Sequence, residues 1–319
     1  MPDYAMLIEP SANRVYRATA PALLRAELDV VLAGALGNVT ETMLGGVRYL
    51  TARCDQPLDE LQIALVSNAS SLYALYEQRG GLLSPVDLKV WDRFDDDLVT
   101  IQRYVGKTNE LFTKLLLNVT LASSPRSLAR HLAGDPVKVL DPLCGRGTSL
   151  NQALMYGMDA SGVEIDKKDF EAYGVFIRTW LQDKRLKHRA KPSPARRLTI
   201  PFHAKDFGPQ QVVDIVQDDT LNAGAHFPKS GFDLIIADLP YGIQHGARPD
   251  LLAAALPVWR TLLKGGGAMG LSWNTRVTSR ADVETVLVGA GLEPRTAAGF
   301  EHRVDRTITR DLVVATKPG

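Results

Sequence analysis

At 319 residues the chain is long enough for about two domains at roughly 150 residues each, which excludes a mini-protein that needs covalent staples. Apolar residues make up 45% and charged residues 23%, the balance of an ordinary soluble domain, so neither disorder nor a fibrous repeat is suggested. Net charge is +1, but residues 1–106 carry 9 Lys/Arg against 14 Asp/Glu while residues 107–319 carry 28 against 22, so the basic excess belongs to the C-terminal part.

The first 80 or so residues predict a strand at Tyr4–Glu9, a helix from a Thr19 cap through Leu32 and strands at Val39–Leu44 and Val47–Arg53. A helix at Leu58–Val66 and a strand near Ser71–Tyr76 follow. Gly45-Gly46 between two apolar runs is a hairpin signal, and Pro21 stands where a helix start tolerates proline. The order β-α-β-β-α-β is that of a ferredoxin-like unit, assigned to residues 1–100. Residues 101–134 read as a helical connector, because Leu111, Phe112, Leu115, Leu116 and Val119 recur at three- and four-residue spacing.

From residue 135 to 319 short apolar runs alternate with helical stretches: Val137–Leu140, Ala160–Ile165, Phe232–Ala237, Ala268–Ser272 and Leu312–Thr316. Such alternation predicts βαβ units and a sheet covered on both faces. In an open α/β sheet, ligands sit beyond the carboxyl ends of the strands. Three of the runs end in acids there. Asp141-Pro-Leu-Cys-Gly-Arg-Gly-Thr148 puts an acid before a glycine turn, and glycines let a ligand approach the backbone. It lacks the third glycine of the dinucleotide fingerprint, and no G-x-x-x-x-G-K-[ST] phosphate loop occurs. Glu164, 23 positions after Asp141, reads as an acceptor for ribose hydroxyls or as a helix cap. Asp238-Leu-Pro-Tyr241 ends a buried-type strand; an acceptor beside a rigid Pro240-Tyr241 turn can hold a planar amine while the ring stacks on it.

Asp141–Thr148 resembles the D-P-x-C-G-x-G-T glycine motif of S-adenosylmethionine-dependent methyltransferases, and Asp238–Tyr241 resembles their [DN]-P-P-[YF] amino-methylating motif. Within that superfamily the chain is most similar to the THUMP-associated guanine-N2 methyltransferases of tRNA and rRNA, over residues 107–319. Leu239 departs from the usual proline. The resemblance implies a Rossmann-like domain with a seven-stranded, mainly parallel sheet. It also implies that S-adenosylmethionine is the cofactor, with Asp141, Cys144, Gly145, Gly147 and Thr148 at its methionine end and Glu164 at the ribose. Asp218 or Asp219, with Asp218 the better match, would meet the adenine amino group. Asp238 would accept from the substrate amine, with Pro240 shaping the turn and Tyr241 stacking on the base.

Lys184, Arg185, Lys187, Arg189 and Lys191 fall in a run without acids from 184 to 197, within a segment longer than a simple crossover needs. It reads either as a surface for RNA phosphates or as a solvated loop. Lys107-Thr108-Asn109 reads as a loop closing over the cofactor or as a lysine and a helix cap, and His245 as a residue of the acceptor pocket or a surface histidine. Arg303 and Arg306 mark a further RNA surface or a salt-bridged hairpin. Cys54 and Cys144 have no C-x-x-C spacing and the histidines no ligand spacing, so neither a disulfide framework nor a metal site is expected. No apolar stretch reaches 18 residues and no basic region leads into an apolar one at Met1, so a cytoplasmic protein without a membrane span is expected. The expected partner is tRNA or rRNA. The alternatives are methylation of a protein, peptide or small-molecule amine, or an RNA-binding protein without catalysis.

Overall fold

The computed structural model describes residues 2–11, 13–189, 196–204, 208–240, 251–295 and 299–319. By contacts the chain divides into Met1–Trp91 with Thr296–Asp311, and Asp92–Arg295 with Leu312–Gly319. This departs from the boundaries expected above. The 101–134 segment is part of the second unit, and the first unit takes a second piece of chain from beyond residue 295.

In the first unit the chain runs β1 (Asp3–Ile8), α1 (Arg14–Val31), β2 (Thr40–Leu44), β3 (Val47–Arg53), α2 (Glu60–Ser67), β4 (Leu72–Arg79) and β5 (Leu82–Val86). The sheet is antiparallel throughout, in the order β2-β3-β1-β4-β5. Met6 stands in register with Leu50 and Leu75, and all three are buried. The expected β-α-β-β-α-β order is present, with β5 added after it by a tight turn at Gly80 and Gly81, both at positive φ. The start of α1 differs from the reading of Thr19 as its cap. Asn13 caps the helix, its Oδ1 accepting from the N–H groups of Val15 and Tyr16, and Thr19 donates back to the Tyr16 carbonyl. Pro21 therefore lies inside the helix.

The second unit contains α3 (Asp97–Thr100), α4 (Glu110–Ala122), α5 (Pro125–Leu132), β6 (Lys138–Asp141), α6 (Thr148–Met155), β7 (Asp159–Glu164) and α7 (Lys167–Asp183). Then come β8 (Lys187–His188), β9 (Arg197–His203), β10 (Gln211–Gln217), a 3-10 turn at Thr220–Asn222, α8 (Ala223–His226), β11 (Phe232–Asp238), α9 (Leu251–Leu262), β12 (Leu263–Asn274), α10 (Arg280–Gly289) and β13 (Glu293–Arg295). β14 (His302–Arg303) pairs with the start of β15 (Thr309–Thr316) inside the first unit, while the end of β15 pairs with β13 inside the second.

The strand order is β13-β15-β12-β11-β6-β7-β10-β9-β8. β12, β11, β6, β7 and β10 are parallel to their neighbours in this run, which makes the centre a doubly wound, Rossmann-like sheet. The expected seven-stranded, mainly parallel sheet is corrected to a larger mixed one, because β8 and β9 extend the β10 edge antiparallel and β13 pairs antiparallel with β15. The chain starts at β6, winds outward through β7 and β10, then crosses back to β11 on the other side of β6. The topological switch point thus lies between β6 and β11.

α4 is no free connector. It buries Phe112, Leu115, Leu117 and Val119 completely, and each such side chain contributes roughly 1.5–3 kcal/mol relative to exposure. Its approach to β12 depends on Gly270, where a Cβ would overlap the Thr120 hydroxyl. Among the described residues no helix is long and apolar enough to cross a membrane.

Candidate active site

Asp141 ends β6 at the switch point, 4% exposed. Its carboxylate accepts from the Leu143 N–H at 2.8 Å and from the Ser149 hydroxyl. Burial pushes its pKa up to about 7, against the stabilising hydrogen bonds, and the negative charges of Asp238 and Glu164 add to the rise. Two further strand-end carboxyls, Asp238 and Glu164, thus act on Asp141.

The turn after Asp141 is built by its glycines. Gly145 and Gly147 have φ of +51° and +78°, the left-handed region that L side chains avoid. At Gly145 a Cβ would meet nothing within 4 Å, so the turn presents open backbone. At Gly147 a Cβ would overlap the Tyr173 ring. Cys144 anchors the turn to the next strand: its N–H donates to the Val163 carbonyl at 3.0 Å, and its sulfur fits against Gly162, where a Cβ would lie 2.7 Å away. Burial pushes the Cys144 thiol well up, so it stays protonated.

Glu164 braces the same turn from β7. One oxygen accepts the Gly145 N–H at 2.8 Å and the other the Asp166 N–H at 2.7 Å. Burial raises its pKa. The cap of α7 is Asp166, which accepts from Lys168 and Asp169. Across the turn, the Thr148 hydroxyl meets the Tyr104 hydroxyl at 3.0 Å, and Arg146 stacks over the Tyr104 ring at 4.9 Å while pairing with Asp169 at 2.7 Å.

Asp238 ends β11 beside β6. Its Oδ2 accepts the Thr108 hydroxyl at 2.6 Å and its Oδ1 the hydroxyl of Ser272, the residue in register on β12. Leu239 donates to the Ser272 carbonyl at 2.8 Å, and Pro240 follows, half-buried. Tyr241 and His245 lie outside the described residues. Of the Lys107-Thr108-Asn109 segment, Asn109 is the cap of α4, accepting from Leu111 and Phe112. Lys107 donates to the Val99 carbonyl at 2.7 Å. Ser272, Tyr104 and Ser149 are site residues that the sequence reading missed. Strand register would have pointed to Ser272, since it is the fifth residue of the apolar run 268–272.

The acids after β10 are placed differently. Asp218 Oδ1 accepts from the Asp219 N–H at 2.7 Å and the Asn222 amide at 3.0 Å, and its Oδ2 pairs with His226 Nε2 at 2.6 Å. These bonds hold its pKa down at about 2, with the Asn222 and His226 contacts the main causes. Asp219 accepts from Leu221 and starts the 3-10 turn.

The basic segment divides too. Lys184 ends α7, where it is ion-paired with Asp95 and Asp97, both at 2.7 Å. Arg185, Lys187 and Arg189 are exposed, Lys187 in β8 and Arg189 bonded through its N–H to the Pro201 carbonyl. Lys191 lies outside the described residues. Much of what reads as an overlong loop is the β8–β9 pair, the added edge of the sheet. No cluster of three or more His, Cys, Asp or Glu able to hold a metal occurs among the described residues.

No family model matches this chain, and no curated protein matches it significantly. Solved structures similar to it include a TehB-like SAM-dependent methyltransferase from Corynebacterium glutamicum, at 18% identity over 59% of this chain and 86% of that one, with a TM-score of 0.38. Another is the 1,6-didemethyltoxoflavin-N1-methyltransferase of Burkholderia thailandensis, solved with S-adenosylhomocysteine, at 16% identity over 62% and 79%, TM-score 0.39. A third is an rRNA methylase from Streptococcus thermophilus, at 11% identity over 61% and 97%, TM-score 0.37.

Proposed function

We propose that this chain transfers a methyl group from S-adenosylmethionine to an exocyclic amino nitrogen of a nucleobase in RNA, guanine N2 of tRNA or rRNA. The observation that carries the reading is the Asp238 carboxylate at the switch point, held by the Thr108 and Ser272 hydroxyls and close enough to Asp141 to raise its pKa. The residues fit the cofactor chemically. Its sulfonium and ammonium groups are positive, and the turn offers open backbone at Gly145 between the carboxyls of Asp141 and Glu164. Cys144, Gly147 and Thr148 shape that turn and would hold the methionine end; Glu164 would receive the ribose. When bound, the cofactor supplies an electrophilic methyl group on a cationic sulfur.

The protein's own task is then alignment and exclusion of water. An amino nitrogen conjugated to a purine is a weak nucleophile, because its lone pair is delocalised into the ring. Asp238, accepting its N–H, favours the pyramidal nitrogen and stabilises the positive charge that develops there. Pro240 fixes its own φ and restricts Leu239 before it, and Tyr241 would cover the base. RNA is favoured as the acceptor by the exposed cations Arg185, Lys187 and Arg189 in and beside the edge strand β8, which suit a phosphate backbone.

The test is transfer of labelled methyl to total RNA, DNA and a protein lysate, with nucleoside analysis of the product and Asp238→Ala as control. Label recovered as N2-methylguanosine and lost in the variant supports the reading. Label found only in protein or small molecules overturns the RNA assignment. Replacing Arg185, Lys187 and Arg189 together with alanine should flatten the salt dependence of RNA binding by up to about three counterions.

A further inference from the structure

Thr108 is 130 residues from Asp238 in the chain, yet its hydroxyl donates to that carboxylate at 2.6 Å. Its position is held from both sides. Lys107 donates to the Val99 carbonyl at 2.7 Å and lies 3.5 Å from Glu110, while Asn109 caps a helix whose Phe112 is fully buried. A short way upstream, Tyr104 is fastened to the glycine turn through Thr148 and Arg146. The residues from 104 to 108 thus run from the turn to the end of β11.

Ser272 approaches Asp238 from β12 and takes the other oxygen. A carboxylate turns easily about its last side-chain bond, and its plane decides where an accepted N–H must lie. Donors on both oxygens, arriving from two separate elements, remove that freedom.

We infer that Thr108 is a positioning residue: together with Ser272 it sets the plane of the Asp238 carboxylate, and so the line along which the acceptor amine presents its nitrogen. The inference rests on the methyl-transfer reading for its kinetic consequence but not for the contact itself. Small errors in alignment are costly, since a displacement of about 1 Å at a reacting centre loses about a hundredfold in rate.

The experiment uses the full chain with Thr108→Val, Thr108→Ser and Ser272→Ala. Thr108→Val keeps the size and removes the donor; kcat should fall about tenfold to a hundredfold while KM for the cofactor stays within about threefold. Thr108→Ser keeps the donor and should recover most of the loss, and Ser272→Ala should resemble Thr108→Val. Wild-type kcat in Thr108→Val, or equal impairment in Thr108→Ser, overturns the assignment. A denaturation double-mutant cycle of Thr108→Val with Asp238→Asn reads the contact without any turnover. Non-additive changes in the unfolding equilibrium, about fivefold or more, support the clamp, and additive ones overturn it. Should the wild-type chain methylate no acceptor while the cycle shows coupling, the methyl-transfer reading fails and the contact stands.

Discussion

Asp218 and Asp238 occupy equivalent places, each at or just past the carboxyl end of a central strand, and each invites a role in binding. Their partners set them apart. Asp218 is held by Asp219, Asn222 and His226, all within eight residues of it, so its bonds close a local turn. Asp238 is held by hydroxyls from residues 130 and 34 positions away, which makes it a point where three elements converge. A local set of partners can be satisfied wherever the turn forms. A converging set needs the whole sheet and α4 in place, and that is the arrangement a reaction centre requires.

The sharpest way to break this contrast is to remove each acid in turn. On the proposed reading, Asp238→Ala should lower methyl transfer about a hundredfold to a thousandfold with cofactor affinity nearly unchanged, whereas Asp218→Ala should leave turnover within about threefold. Equal losses in labelled-methyl assays would erase the distinction. A large effect on stability is expected at the glycine turn. Gly147→Ala forces a Cβ into the Tyr173 ring at a positive φ, which should cost about 2–4 kcal/mol in urea unfolding.

Asp141 and Asp218 should respond to pH with opposite signs. The folded pKa of Asp141, about 7, lies above the ordinary value, so its ionisation weakens the fold as pH rises from about 4 through 7. Asp141→Asn should therefore gain stability at pH 8 that it lacks at pH 4, by at most about 4 kcal/mol. Asp218, with a folded pKa near 2, contributes stability that is complete above about pH 4 and is lost as pH falls toward 2. The corresponding Asp218→Asn difference should be the smallest of these effects, about 1 kcal/mol after solvent screening, measured by denaturant melts at both ends of that window.

The central strands were legible because a buried parallel strand is a nearly continuous apolar run, and Phe232–Asp238 and Asp159–Glu164 lie within a residue of their expected bounds. The acids at their ends were legible for the same reason. What escaped was set by pairing across distance. β9 reads Arg-Leu-Thr-Ile-Pro-Phe-His, an alternating strand one place in from the sheet edge that looks like loop beside its basic flank. The amphipathic pattern of α4 identified a helix, but nothing in it tells a connector from a helix buried against β12. Ser272 met Asp238 through strand register, and Thr108, legible only as part of a loop over the cofactor or beside a helix cap, was brought to that carboxylate by packing that no local window contains. Asp218 is the converse case: its strand-end position was visible and its partner His226, on the helix after the 3-10 turn, was not.

The first unit is made of two segments far apart in the chain, Met1–Trp91 and Thr296–Asp311. Phe300, fully buried, arrives some 200 residues after the strands of that unit have left the ribosome. Nascent chains generally fold from the N-terminus as each domain emerges. Here the earliest segment waits, with part of its apolar surface uncovered, while the entire central sheet of the second unit is made. A chain stopped at residue 91 is therefore an unfinished unit, and this protein is a natural subject for asking what shields an early fold that only a segment made some 200 residues later can close.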